Sequence, residues 1–152
     1  ETFDYVYEHY SMCHLSKKDT ARAVGEMYRV LKKGGLCFLG VMSMDDTWPK
    51  SILGEEKEPG EFWGEEHGEL TSHSLFTDQE SDQLVSAWEI VGKEKLITYM
   101  RGFAEETSLE DWMGFYPEAQ NDYSKEAWKA KYENRINKFR YAHTYYFLRK
   151  PS

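Results

Sequence analysis

The chain has 152 residues, a formal net charge of -8 at pH 7 and only two cysteines, Cys13 and Cys37. Its length suits a single domain, residues 1–152, and its acidic balance argues against nucleic-acid binding and against an anionic membrane surface, since both require dense basic patches. The same charge favours a small neutral or cationic molecule as the substrate. Two cysteines without metal-ligand spacing, no signal peptide and no apolar run near the roughly 20 residues of a membrane helix predict a cytoplasmic protein.

Residues 3–43 are predicted to form a βαβ unit. A short apolar strand at Phe3–Tyr7 is followed by an amphipathic helix that Ser16 caps, with apolar residues at spacings of three and four. Gly34 is expected to end this helix in a left-handed conformation. The next segment, Leu36–Met42, is apolar without alternation, which is typical of a parallel strand covered on both faces. The sequence therefore predicts an α/β fold with a doubly wound sheet.

The rest of the chain is predicted to add smaller elements to this unit. Residues 44–76 are rich in Gly and Glu and are predicted to be a loop or short-helix insertion. Residues 77–101 are predicted to form a helix that runs to Trp88, with a capping box made by Thr77 and Glu80, followed by a strand. A helical insertion is expected at 102–139 and a final aromatic strand at 142–150, antiparallel to the strand before the insertion.

The first of these elements carry a family resemblance. The residues in question are Phe3-Asp4-x-Val6, His14-Leu15 and Glu26-x-x-Arg29-Val30-Leu31-Lys32-x-Gly34-Gly35. This pattern resembles the C-terminal half of a class I S-adenosylmethionine-dependent methyltransferase of the type 11/12 kind. Weaker matches are His73–Glu80 and Tyr145–Pro151. The resemblance implies a Rossmann-like sheet, S-adenosylmethionine as the cofactor and methylation of a small molecule.

The other half of that pattern is not present in the sequence. No G-x-G-x-x-G or looser glycine loop follows a strand, and the acidic residue expected to hold the cofactor ribose is absent. The Rossmann-like sheet is therefore predicted to be partial, and the chain is not expected to bind the cofactor well or to transfer methyl groups alone. The strand Phe3–Tyr7 would then be an open edge, to be covered by the missing N-terminal half or by a second copy in a homodimer. A non-catalytic interaction or dimerisation module is the alternative function.

The resemblance also implies site residues at the ends of the two predicted strands. Glu8, His9 and Tyr10 would lie beside the methionine part of the cofactor, and Ser11, His14 and Ser43 would lie on the substrate side. Polar side chains at a strand end can orient a nucleophile or accept its proton. Alternatively, His9 and His14 cap the loop or satisfy backbone groups. No residue is predicted to be catalytic.

Residues 55–69 carry seven glutamates, with His67 and His73 nearby, and could hold a hard metal ion or attract an amine. The glutamates lack EF-hand spacing and the histidines lack a zinc motif, so no metal site is predicted. Six aromatic residues have two alternative roles, as a cage for a cation or as anchors of the core or of loops. They are Trp48, Phe62, Trp63, Trp112, Phe115 and Tyr116.

Overall fold

The computed structural model of the chain describes residues 1–53, 55–66, 68–99, 108–114 and 140–152. In chain order, the elements within these ranges are β1 (Phe3–Glu8), α1 (Lys17–Val30), β2 (Leu31–Ser43), α2 (Trp48–Ile52), β3 (Glu55–Glu58), β4 (Glu61–Glu66), β5 (Glu69–Phe76), α3 (Asp78–Leu84), β6 (Glu89–Tyr99), α4 (Leu109–Gly114) and β7 (Arg140–Arg149). Within the same ranges, no helix has the length and apolar character needed to cross a bilayer.

The described strands form one mixed sheet of seven strands, in which β2 has three neighbours. β1 runs parallel to the middle of β2, from Leu36 to Leu39, and β5 runs parallel to its last residues, Met42 and Ser43. β7 lies antiparallel along the other edge of β2, and β6 pairs antiparallel with β7. The mixed α/β class and the antiparallel pairing of the last two strands are therefore confirmed.

Helix α1 begins at the predicted cap. The hydroxyl of Ser16 accepts a hydrogen bond from the backbone N–H of Asp19 at 3.0 Å, which satisfies one of the unpaired donors of the first turn. Val24 is buried on the inner face of the helix, and Met27 and Tyr28 pack beside it against the core. The amphipathic pattern thus places α1 across one face of the sheet.

The helix ends earlier than its sequence predicts. Its last residue is Val30, and Leu31 is already extended and completely buried. Burial of Leu31 in the core therefore decides the end of the helix. Gly34 does adopt the predicted left-handed conformation, with φ of 75°, but it lies beyond the helix, where its N–H donates to the carbonyl of Lys150 at 2.9 Å. A side chain other than glycine would be strained there.

The two faces of the sheet differ in cover. One face carries the core, formed by alternate residues of β2 and β7 together with α1 and the turn after α3; its strand residues are Cys37, Leu39, Val41, Tyr146 and Leu148. On the opposite face Leu36 is 40% exposed, Phe147 44% and Tyr7 72%. A doubly wound sheet needs helices on both faces. The described helices of the core pack on one face, so the doubly wound arrangement stays a prediction.

The segment 44–76 contains a short helix, which was one of the two predictions for it, but most of the rest is strand rather than loop. After the short helix α2, the strands β3, β4 and β5 form an antiparallel meander. Gly60 and Gly68, both at positive φ, occupy the connections between these strands. Every residue of β3 is exposed, so its glutamates show no hydrophobic alternation from which a strand could be recognised.

Residues 77–101 follow the prediction with one change. The capping box forms, because the Thr77 hydroxyl accepts from the N–H of Glu80 while the Glu80 carboxylate accepts from the N–H of Thr77. α3 ends at Leu84 rather than continuing to Trp88, which is buried in the turn that follows. Of the insertion 102–139, the description covers only 108–114, which contain α4, and the rest of that prediction lies outside it.

One buried carboxylate joins α2 to the last strand. Asp46 is completely buried, and its two oxygens accept hydrogen bonds from the N–H of Trp48 at 2.8 Å and of Ala142 at 2.9 Å. Burial raises the pKa of Asp46 to about 6, although the two backbone donors and the charges of Lys50 and Arg140 act in the opposite direction. Asp46 therefore fixes the start of the insertion against β7.

We expect the Asp46 carboxyl to make stability depend on pH. Its pKa is raised on folding from 3.8 to about 6, so the folded state holds the proton more tightly. The protonated carboxyl therefore contributes about 3 kcal/mol to the free energy of unfolding below pH 4, at roughly 1.4 kcal/mol per pKa unit. This contribution is lost as the pH rises through 6, and above that pH the stability no longer depends on this group. Urea unfolding of the native chain and of Asp46→Asn should therefore diverge between pH 4 and 6.

Glu94→Gln, at an exposed residue of β6, provides the control, since it leaves the Asp46 carboxyl in place and should keep the pH dependence that this carboxyl gives. If the Asp46→Asn profile is parallel to the native one, the buried carboxyl does not titrate as described.

Candidate functional site

The loop that follows β1 is shaped by the carboxylate of Glu8. Glu8 is 3% exposed. Its Oε1 accepts from the N–H and the hydroxyl of Ser11, at 2.8 and 2.9 Å, and from the N–H of Met12 at 3.1 Å. Its Oε2 accepts from the N–H of Gly40 at 3.3 Å. With four donors inside the chain, Glu8 anchors the loop to β2, and Ser11 is held as one of its donors.

Tyr10 has an unusual backbone conformation within this loop. Its φ is 65°, in the left-handed region that few residues other than glycine adopt. The turn directs its ring to the carboxyl end of the sheet, where it lies edge-on to the ring of His143 with 4.6 Å between centroids. The neighbouring His9 ring lies 4.1 Å from that of Tyr10. Strain of this kind persists where surrounding contacts enforce it, and it is common at functional sites.

Four side chains from two distant segments form a hydrogen-bonded group, which we call the tyrosine–histidine cluster: His9, Tyr10, His143 and Tyr145. The Tyr145 hydroxyl lies 3.4 Å from His9 Nε2 and donates to the Tyr10 hydroxyl at 3.4 Å. The Tyr10 hydroxyl lies 3.3 Å from Nδ1 of His143. The Tyr10 hydroxyl donates to His143 Nδ1 or accepts from it, according to which ring nitrogen of His143 carries the proton.

The cluster forms one wall of a cleft at the carboxyl ends of β1 and β2. Apolar side chains, among them Met12, Val41 and Phe76, form most of the remaining lining, together with Gly40. Cys13, Thr20 and Ser74 also line the cleft. The cleft therefore combines an apolar surface with a few converging polar groups, as binding sites for small organic molecules do.

Two titratable groups of the cluster, His143 and Tyr145, are neutral near pH 7. Burial lowers the pKa of His143 to about 4, and the charge of His9 acts in the same direction. At neutral pH only about one His143 in a thousand would carry a proton. Burial also raises the pKa of Tyr145, and its hydrogen bond with Tyr10 adds to the effect. The cluster is thus suited to orienting a ligand by hydrogen bonds and is a weak base.

The structure separates the other predicted site residues from the cleft. Ser43 is buried, and its hydroxyl accepts from the N–H of Asp45 at 3.1 Å, in the turn after β2. His14 turns to β5, where its Nδ1 lies 3.1 Å from the carbonyl oxygen of Ser72. Of the six residues predicted, the cleft lining in the described part of the chain includes His9 and Tyr10.

The residues proposed for a cation cage also lie apart. The Trp48 ring packs on His73 and Tyr141, Phe62 is buried, and Trp63 takes the ammonium group of Lys57 over its ring at 4.8 Å. The side chain of Trp112 and residues 115–116 lie outside the description, as does His67.

His143 and Tyr145 were not predicted from the sequence to be site residues. They lie on β7, where His143 is paired with Met42 and Tyr145 with Gly40. The one sequence signal for them was Gly40 within an apolar strand, because a glycine there indicates that another group approaches the backbone closely. A Cβ at Gly40 would lie 3.0 Å from the Tyr145 ring, so the glycine admits that ring.

Residues 1–39 match the family model described as a methyltransferase domain. No curated protein matches the chain. Among solved structures, an S-adenosylmethionine-dependent methyltransferase of Methanosarcina mazei is similar, with a TM-score of 0.62 and 17% identity over 99% of this chain and 60% of its own. A protein of Bacillus halodurans described as a possible methyltransferase has a TM-score of 0.55 and 17% identity over 100% and 66% of the two chains.

The [4+2]-cyclase SpnF is also similar, with a TM-score of 0.55 and 18% identity over 99% of this chain and 50% of its own. The chain thus spans between 50% and 66% of the length of these three structures. The resemblance read from the motif residues of the first βαβ unit is confirmed, by the family match over residues 1–39 and by the methyltransferase-like fold of the chain.

We expect Glu8→Gln to destabilise the loop after β1. The substitution preserves the shape of the side chain but replaces one acceptor oxygen by an NH₂ donor, which would face a backbone N–H. Leaving a buried donor without an acceptor costs about 1–3 kcal/mol, so the free energy of unfolding in urea should fall by that amount. The same substitution at the exposed Glu94 is the matched control. Equal stability of the two variants would show that Glu8 does not hold the loop.

Proposed function

We propose that this chain is the C-terminal portion of an S-adenosylmethionine-dependent methyltransferase domain that acts on a small molecule. The cleft bounded by the tyrosine–histidine cluster is the observation that carries the proposal, because it lies beyond the carboxyl ends of parallel strands, where α/β sheets bind their ligands. The family match over residues 1–39 covers β1 and the loop that forms this cleft. The segment with the glycine loop would complete the cofactor pocket.

The residues of the cleft suit the methionine part of the cofactor. S-adenosylmethionine supplies an electrophilic methyl group on a positively charged sulfur. The rings of Tyr10 and Tyr145 offer electron-rich faces to a cation, and His143 is neutral, so the described lining does not repel it. Glu8 contributes indirectly, since it holds the loop that presents His9 and Tyr10. We assign His9 and Tyr10 to the cofactor side, as the resemblance implies.

The protonation of the cluster favours a particular kind of methyl acceptor. His143, with a pKa of about 4, is a poor acceptor of a proton from an alcohol. The cluster can instead orient an acceptor whose nucleophilic atom already has a lone pair, such as a neutral amine or a thiolate. Of the two, an amine fits the acidic chain, because the net charge of -8 attracts its protonated form to the surface and repels a thiolate anion.

A second function is favoured by the uncovered face of the sheet. The rings of Tyr7, Phe38 and Tyr145 form a stack, with 5.1 and 5.5 Å between successive centroids, and Phe147 joins it edge-on. An apolar surface of this kind is typical of an interface. The alternative is therefore an interaction module that pairs through β1 and this face, with a second copy of the chain as the partner.

We expect binding of S-adenosylhomocysteine to distinguish the two functions. Calorimetric titration should detect no binding to the 152-residue chain and binding to a version extended upstream through the glycine-rich loop. In the extended protein, Tyr10→Phe should lower turnover about tenfold or more with little change in melting temperature, because it removes only the hydroxyl bonded to His143.

Tyr28→Phe is the control, since Tyr28 packs on the opposite, helix-covered face. Absence of binding by the extended protein would exclude the methyltransferase function and leave the interaction module.

We expect the interaction module to elute from a sizing column as a dimer. Tyr5→Lys and Tyr7→Lys together should convert it to a monomer, because both side chains are exposed on β1 and two added charges oppose burial of that edge. Leu70→Lys, at an equally exposed apolar residue of β5, should leave the dimer intact. A native chain that elutes as a monomer at all concentrations would exclude pairing through this surface.

A further inference from the structure

We propose that Cys13, His14 and His73 form a binding site for a zinc ion, with a fourth ligand supplied by solvent. One potential ligand atom of each residue lies within 4.8 Å of those of the other two. The proposal rests on this geometry and does not require the proposed methyltransferase function, although Cys13 also lines the cleft. Spacing along the sequence could not indicate the group, because His73 comes from β5 and the other two residues from the loop after β1.

The backbone around the three residues is fixed without a metal. The carbonyl of Cys13 accepts from the N–H of Ser74 at 2.9 Å, and the carbonyl of His14 accepts from the Ser72 hydroxyl at 3.1 Å. The Ser74 hydroxyl donates to the carbonyl of Leu15 at 2.5 Å. The loop is thus tied along β5 on both sides of His73, so that the ligands are held together before any ion binds.

The hydrogen bonding of His14 suits a metal ligand. Its Nδ1 lies 3.1 Å from the carbonyl oxygen of Ser72 and 3.0 Å from the Thr71 hydroxyl. A carbonyl oxygen only accepts, so Nδ1 carries the proton and Nε2 keeps its lone pair. Donation of the second ring N–H to a backbone carbonyl is the usual support of a metal-bound histidine, since it fixes the tautomer and the ring orientation.

The donor set and the distances select the metal. One thiolate and two imidazoles suit a borderline-soft ion, and zinc accepts three protein ligands with a fourth position left open. Bonds of about 2.0–2.3 Å place tetrahedral ligands about 3.3–3.6 Å apart, so the three side chains need to close by little more than 1 Å. The thiol of Cys13, which donates to the Tyr10 carbonyl at 3.1 Å, would lose its proton on binding.

The surroundings leave one side of the group accessible. His73 is 5% exposed and is packed between the rings of Trp48 and His14, with 5.3 and 4.5 Å between centroids. Cys13 is half-buried and His14 is exposed. The ion would therefore enter past His14, with His73 as the rigid ligand and solvent at the fourth position.

Titration of the untagged, chelator-treated chain with zinc alone tests the site. We expect one zinc per chain and a binding constant at least tenfold weaker in Cys13→Ser and in His14→Ala. Cobalt as a substitute should give the visible bands of tetrahedral coordination and a thiolate charge-transfer band that Cys13→Ser abolishes. His14 is exposed, so His14→Ala should keep the circular dichroism of the native chain even if Cys13→Ser does not.

Matched controls come from the same chain. His9→Ala removes an exposed histidine of the same loop, and Cys37→Ala removes the other thiol, which is buried and whose pKa is raised to about 11 by burial and by the Glu8 charge. Both should bind zinc as the native chain does. The proposal is overturned if the native chain takes up no zinc, or if the control variants lose affinity as much as Cys13→Ser and His14→Ala.

Discussion

The structure depends on the use of both edges of β2. One edge pairs in succession with β1 and β5, while the other pairs with β7 along most of its length. On the core face, Cys37, Leu39 and Val41 receive the apolar side of α1. A strand paired on both edges and packed on one face has little freedom of register, so it fixes where β1 and β7 end. The candidate site lies at those ends, so its geometry depends on β2.

Glu8 fixes the loop after β1 to strand β2. Its carboxylate joins the N–H groups of Ser11 and Met12 to that of Gly40 on β2. Farther along, the carbonyl of Cys13 and the hydroxyl of Ser74 continue the attachment to β5. The loop is therefore held on two sides, to β2 and to β5. Its exposed side chains can meet a ligand without a large loss of conformational entropy.

Local signals in the sequence account for much of the fold and for little of the site. The caps at Ser16 and Thr77 were predictable because a capping hydroxyl acts within one turn. The meander at 55–76 was missed because its glutamates are exposed and its pairing partners are the strands themselves. His9 and Tyr10 could be found from the family pattern. His143 and Tyr145 could not, because their partners lie more than 130 residues away in sequence.

The distribution of charge relates the site to the rest of the surface. The chain carries a net charge of -8, yet the described lining of the cleft consists of apolar, hydroxyl and imidazole groups, and His143 is neutral near pH 7. A cation is thus attracted by the whole molecule and meets neutral aromatic rings in the cleft. An ion pair would bind the charged and the neutral form of a ligand very differently. Neutral rings discriminate less, which suits the proposed cofactor, because S-adenosylmethionine enters as a cation and leaves as a neutral thioether.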